Sequence, residues 1–211
     1  HLGSIVSLWG LELGYRVLEC DPPRAEREGA SHFATLGQIA READIITFHT
    51  PLTKDGPHPT FHLADYAFFA SLGKCRLLIN SARGGIVDEA ALLASGVDFV
   101  IDCWESEPNI SEETLRRAFV ATPHIAGYSL EGKKRGTAMA VDALCRHFGW
   151  DIKPEWPAAP QNGASNVTIG KIMGSYNPLA ETALLKNHGG DIASTFESLR
   201  NHYAYRAEVF D

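Results

Sequence analysis

Arg83, Glu107 and His124 are the residues of this chain whose types and settings could do chemistry. Arg83 lies in Asn80-Ser81-Ala82-Arg83-Gly84-Gly85, Glu107 in Asp102-Cys103-Trp104-Glu105-Ser106-Glu107-Pro108, and His124 in Ala121-Thr122-Pro123-His124-Ile125-Ala126-Gly127. An imidazole exchanges a proton near neutral pH and is the usual general acid or base. A carboxylate beside it orients the ring and favours its charged form. A guanidinium forks onto a carboxylate through two parallel hydrogen bonds. Each residue also has an ordinary structural explanation. His124 after Pro123 suits a turn, Glu107 suits a solvated loop with Glu105 as a rival acid, and Arg83 suits a helix end or a pair with Asp88.

The elements that must position these residues alternate. Short apolar, β-branched runs at 15–20, 45–49, 76–80, 99–103 and 119–122 read as strands. Most are nearly continuous in hydrophobicity, as strands buried on both faces are. Helix-like segments lie at 4–13, 36–42, 64–70, 89–94 and 112–117, and a longer one at 130–148. Strand and helix in alternation predict an α/β fold, a Rossmann-type doubly wound parallel sheet. Ligands bind such sheets at the carboxyl ends of the strands, and Asp21, Thr50, Ser81, Arg83, Asp102 and His124 all fall there. One of them alone is a cap or turn former; together they predict a shared cleft.

Gly3 opens the first helix and Asp21 closes the run that follows. That spacing fits the last glycine of a G-x-G-x-x-G turn and the acidic residue that binds a ribose diol about 20 residues on. The first two glycines would precede His1, and the chain starts without Met, so an upstream extension with the first strand is expected. Asp21 before Pro22-Pro23 also suits a plain turn. A carboxylate on the ribose would repel a 2′-phosphate, which favours NAD over NADP, although Arg24 stands close by.

Bulk properties narrow the partners. The net charge of −7 argues against nucleic acid or an anionic membrane surface as the main partner. Cys20, Cys75, Cys103 and Cys145 form no CxxC pair, so a structural zinc site is not expected, and reduced thiols fit a cytoplasmic setting. No apolar run is long enough to span a bilayer. Pro154, Pro157, Pro160 and Gln161-Asn162-Gly163 read as a linker, dividing an expected cofactor domain at 1–150 from a small unit at 151–211 with a helix near 192–205. The stretch from Asp88 to Val97 leaves barely enough room for a helix and a turn, as though residues were missing near Ser95-Gly96-Val97.

The segments 79–92, 102–108 and 121–133 resemble, in order, the Asn-x-x-Arg-Gly-x-x-Val-Asp, Asp-x-Phe/Trp-x-x-x-Pro and Pro-His-x-x-Gly blocks of the D-isomer-specific 2-hydroxyacid dehydrogenases. The resemblance covers residues 1–150. It implies NAD as cofactor, His124 as proton acceptor, Glu107 as its carboxylate partner and Arg83 as the grip on the substrate carboxylate. It further implies Gly3, Asp21, Thr50, Ser81, Ala82, Arg83, Asp102 and Gly127 as cofactor contacts, with Asp102 at the nicotinamide amide. Segments 21–24, 47–57, 124–133 and 196–203 narrow the likeness to a branch that acts on a phosphorylated 2-hydroxy acid. That branch carries a small C-terminal α+β dimerisation domain, so a homodimer is implied, with Tyr128 as a substrate contact and phosphate-binding residues partly upstream. A phosphoglycerate- or glycerate-type dehydrogenase and a non-catalytic NAD-sensing dimer remain open alternatives at this point.

Overall fold

Capping residues set most element ends. The computed structural model describes residues 2–152 and 168–208; the expected proline linker falls outside them. The chain opens with α1 (Leu2–Glu12), α2 (Pro22–Glu28), a 3₁₀ turn at Ala30–His32 and α3 (Leu36–Glu42). Then follow β1 (Ile45–Phe48), α4 (Tyr66–Ala70), β2 (Leu77–Asn80), α5 (Glu89–Ser95), β3 (Asp98–Ile101), α6 (Glu112–Arg117) and β4 (Val120–Ala121). The long α7 (Leu130–Phe148) follows, and α8 (Ile169–Ser175), α9 (Leu179–Lys186) and α10 (Ile192–Asn201) close the chain. The three helices between strands begin alike: Asp65, Asp88 and Ser111 each accept a hydrogen bond from a backbone N–H of the helix they precede. Such a cap satisfies an otherwise orphan donor of the first turn.

The four strands form one parallel sheet in the order β1-β2-β3-β4. Helical crossovers join neighbouring strands, the connection that parallel pairing demands. Ile46, Phe48, Leu78, Phe99 and Ile101 project into a core shared with Phe68, Ile86, Leu92 and Leu115. This is the Rossmann-type sheet that the alternating pattern predicts. The tight connection after Asp88 closes without strain, because Gly96 takes the left-handed conformation (φ 72°) that ends α5, and β3 starts two residues later. Glycine meets that conformation without a Cβ penalty.

One expectation needs correction. Residues 15–20, read as a strand, are paired with no other strand among the described residues. An apolar run becomes a strand only where a neighbour supplies a hydrogen-bonding ladder. Asp21, for which a turn is the alternative to a ribose contact, caps α2, and Pro22 and Pro23 occupy the first turn, where a missing N–H costs nothing. A separate C-terminal dimerisation domain is not visible among the described residues. Instead Leu185 of α9 and Phe196 of α10, both fully buried, enter the same core as the sheet. Thr182 Oγ1 accepts from the Ala121 N–H at 3.1 Å, and Lys186 Nζ donates to the Ala118 carbonyl at 2.7 Å, so α9 covers the β4 edge.

Candidate active site

Three loops at the carboxyl ends of β2, β3 and β4 meet. Asn80, buried at the end of β2, joins the first two: its Nδ2 donates to the carbonyls of Arg83 (3.0 Å) and Cys103 (3.2 Å), and its Oδ1 accepts from the Ala82 N–H. Gly84 allows the close approach, since a Cβ there would lie 1.8 Å from the Trp104 carbonyl oxygen. Asp102 joins the second loop to the third. It is 4% exposed and accepts from Thr122 Oγ1 (2.7 Å) and from the N–H groups of Ile125 (2.8 Å) and Ala126 (3.2 Å). Its own carbonyl accepts from the His124 N–H at 2.9 Å. The carboxylate that the family likeness implies at the nicotinamide amide is therefore turned inward, holding the loop that carries His124.

Within this frame Glu107 and His124 pair. His124 Nδ1 donates to Glu107 Oε2 at 2.8 Å, and Glu107 Oε1 accepts from the Trp104 N–H at 2.8 Å. Trp104 is itself pinned by its indole N–H to the Thr122 carbonyl at 2.9 Å. Burial pushes the Glu107 carboxyl up, but the bond from His124, the Trp104 N–H and the charges of His124 and Arg200 outweigh it and hold it below the ordinary value. A carboxylate bound to Nδ1 leaves Nε2 as the proton-exchanging atom. His124 and Ser106 both have left-handed backbones, φ 56° and 58°, a conformation costing about 1–3 kcal/mol in non-glycine residues and gathering at functional sites. The rival acid Glu105 is engaged elsewhere: its side chain meets His62 Nε2, and its N–H donates to Glu89 Oε1 at 2.7 Å.

Thr50, Ser81, Ala82 and Arg83 line one cleft of about 220 Å³, together with Leu2, His49 and Pro51. Leu2 of α1 closes one side of the cleft. Gly3 packs the helix against the strand end; a Cβ there would lie 3.3 Å from His49 Cβ. His49 Nδ1 is buried without a partner, an orphaned polar atom beside the cleft, and burial lowers the pKa of its ring. Hydroxyls and an unpaired imidazole nitrogen fit a polar cofactor. Because the cleft is smaller than the 300–1,000 Å³ of enclosing ligand sites, it offers one wall rather than an envelope. A larger cavity of about 320 Å³, lined by Ser7, Val17, Glu19, Arg24 and Phe33, contains none of the expected site residues.

The remaining expectations divide. Asp21 lies outside the cleft lining and caps α2 through the Arg24 N–H at 3.0 Å. Gly127 is exposed, with no atom within 4 Å of where a Cβ would stand. Tyr128 presents its hydroxyl to Arg200 Nε at 3.3 Å. Sequence reading missed His49, Gly84 and Arg200. The first two adjoin residues it selected, at strand ends; nothing local marks Arg200 on α10. Among the described residues no cluster of three metal-ligating side chains occurs, and no helix is long and apolar enough to cross a membrane.

Comparison with known proteins agrees with this geometry. Residues 1–126 match the family described as D-isomer specific 2-hydroxyacid dehydrogenase, NAD binding domain. The chain belongs to that family, and its cofactor is NAD. It is 42% identical over 99% of its length to the erythronate-4-phosphate dehydrogenase of Bacteroides thetaiotaomicron, covering 61% of that protein. It is 54% identical over 71% of its length to the enzyme of the same name from Edwardsiella ictaluri, covering 41% of it. Among solved structures, the NAD-dependent formate dehydrogenase of Staphylococcus aureus in complex with NAD superposes on 73% of the chain and 47% of its own, with a TM-score of 0.58 and 26% identity. The chain thus spans about three-fifths of the first of these relatives.

Proposed function

We propose that the protein oxidises 4-phospho-D-erythronate to 2-oxo-3-hydroxy-4-phosphobutanoate, a step of pyridoxine (vitamin B6) biosynthesis. The observation that carries this reading is the Glu107–His124 pair, whose geometry leaves Nε2 free for a substrate hydroxyl. The erythronate-4-phosphate dehydrogenase of B. thetaiotaomicron, aligned over 99% of this chain, supports the choice of acid.

NAD, when bound, would supply the acceptor for the hydride of C2. Gly3, Thr50, Ser81, Ala82, Arg83 and Gly127 would hold it, with Asp21 on a ribose. His124 Nε2 takes the proton of the C2 hydroxyl, and Glu107 stabilises the imidazolium that forms. Arg83 grips the substrate carboxylate and polarises the reacting oxygen, and Tyr128 contacts the substrate. Asp102 acts behind them by fixing the His124 loop. The protein works in the cytoplasm as a homodimer, with the segment 151–211 contributing to the contact.

The test is a substrate panel in which NAD reduction is followed by absorbance. Turnover is expected with 4-phospho-D-erythronate. Turnover with 3-phosphoglycerate or glycerate alone overturns the substrate, whereas NADH binding without hydride transfer to or from any 2-hydroxy or 2-oxo acid establishes a sensor instead.

A further inference from the structure

A second arginine reaches the loop that carries His124 from α10. Phe196, fully buried, anchors that helix on the core. Arg200 follows one helical turn later, on the same face. Its Nε donates to the Tyr128 hydroxyl at 3.3 Å. Among the described residues, its two terminal nitrogens make no hydrogen bond and no carboxylate forms an ion pair with it. Arg206, which reaches the same loop, is by contrast committed: it donates to the Ala126 carbonyl at 2.7 Å and to the Tyr203 hydroxyl at 2.9 Å. Lys133 Nζ lies over the Tyr128 ring, 3.5 Å from its centroid. In a chain of net charge −7, two cations with free donors around one tyrosine mark an anion site.

Position says which anion. Arg83 lines the cleft at the end of β2, and Arg200 reaches the loop that carries His124 through Tyr128, so the two guanidinia approach the site from different elements. A 2-hydroxy acid with a terminal phosphate is anionic at both ends. With Arg83 assigned to the carboxylate, a cation is still needed for the other end. Arg200 also lies beyond the residues 1–126 that match the family, in the part that the alignment to the erythronate-4-phosphate dehydrogenase of B. thetaiotaomicron reaches. We propose that Arg200, oriented by Tyr128 and assisted by Lys133, binds the phosphate group of the substrate. This subsite rests on the substrate class proposed above.

Calorimetric titration of the NAD-loaded protein with 4-phospho-D-erythronate and with D-erythronate tests it. Arg200→Gln is expected to weaken the phosphorylated acid about 10- to 100-fold, as loss of a charge-assisted contact does, and to leave erythronate and NAD within about 2-fold, as expected for a contact made only with the phosphate. Arg200→Lys should recover part of the loss. Tyr128→Phe, which keeps the ring, should weaken only the phosphorylated acid, by a few-fold; these two variants decide the matter if Arg200→Gln does not fold. Unchanged binding of the phosphorylated acid to Arg200→Gln overturns the subsite but not the enzyme. Equal weakening of both acids makes Arg200 structural, and weakened NAD binding assigns it to the cofactor pyrophosphate; either result overturns the subsite. A wild-type protein that binds neither acid overturns the substrate class and the subsite with it.

Discussion

Glu107 serves two partners at once. One oxygen takes His124 Nδ1 and the other takes the Trp104 N–H, so the carboxylate that supports the imidazolium also stiffens its own loop. Glu107→Gln keeps size and one acceptor but removes the charge. We expect kcat/KM to fall about 100-fold or more, the usual scale of acid–base assistance. The limb of the pH–rate profile that tracks the imidazole should move to lower pH, because the charged ring loses its counter-ion. A limb that stays in place would assign the partnership elsewhere. Stability should respond as well. A carboxyl held below its ordinary value contributes stability that is full above that value and is lost as pH falls through the depressed one. The variant should therefore lose less stability than the wild type between neutral and acid pH.

At the scale of elements, the site depends on how closely the β2 and β3 loops approach. Gly84 has no room for a side chain against the Trp104 carbonyl, and Asn80 bonds across the same seam. Gly84→Ala must separate the loops, shifting Arg83 away from the Glu107–His124 pair. Overpacking of this kind costs about 1–3 kcal/mol, visible as a lower Tm, but the larger effect is expected in catalysis, since a displacement near 1 Å can cost about 100-fold. Near-normal turnover in Gly84→Ala would show that the seam does not set the geometry.

On the scale of the whole molecule, the last helices belong to the core. Phe196 and Leu185 are fully buried against it, and Thr182 and Lys186 satisfy backbone groups at the β4 edge, a position otherwise open to strand addition. Phe196→Ala should cost about 3–5 kcal/mol and lower a single cooperative urea transition monitored across the chain. If instead only a minor, separate transition changes, the helices are independent of the sheet.

Much of this was legible in the sequence because the signals are local. Helix-like patterning places α3, α6 and α7, and apolar runs at regular intervals predict the parallel sheet. The residue types of Arg83, Glu107 and His124, at three strand ends, predict a cleft before any contact is known. What tertiary structure alone decided concerns partners distant in the chain. Residues 15–20 have strand-like composition, yet a strand exists only with a ladder beside it. Glu105 and Glu107 are equivalent by type; the different imidazoles they meet separate them. Asp102 is one polar strand end among several by type; only the fold shows that its oxygens also hold the His124 loop through Ile125 and Ala126. Arg200 gains meaning only because burial of Phe196 brings α10 against the His124 loop. Periodicity and capping act within a few residues, whereas the pairing of a carboxylate or guanidinium is decided by whatever folding brings within hydrogen-bond reach.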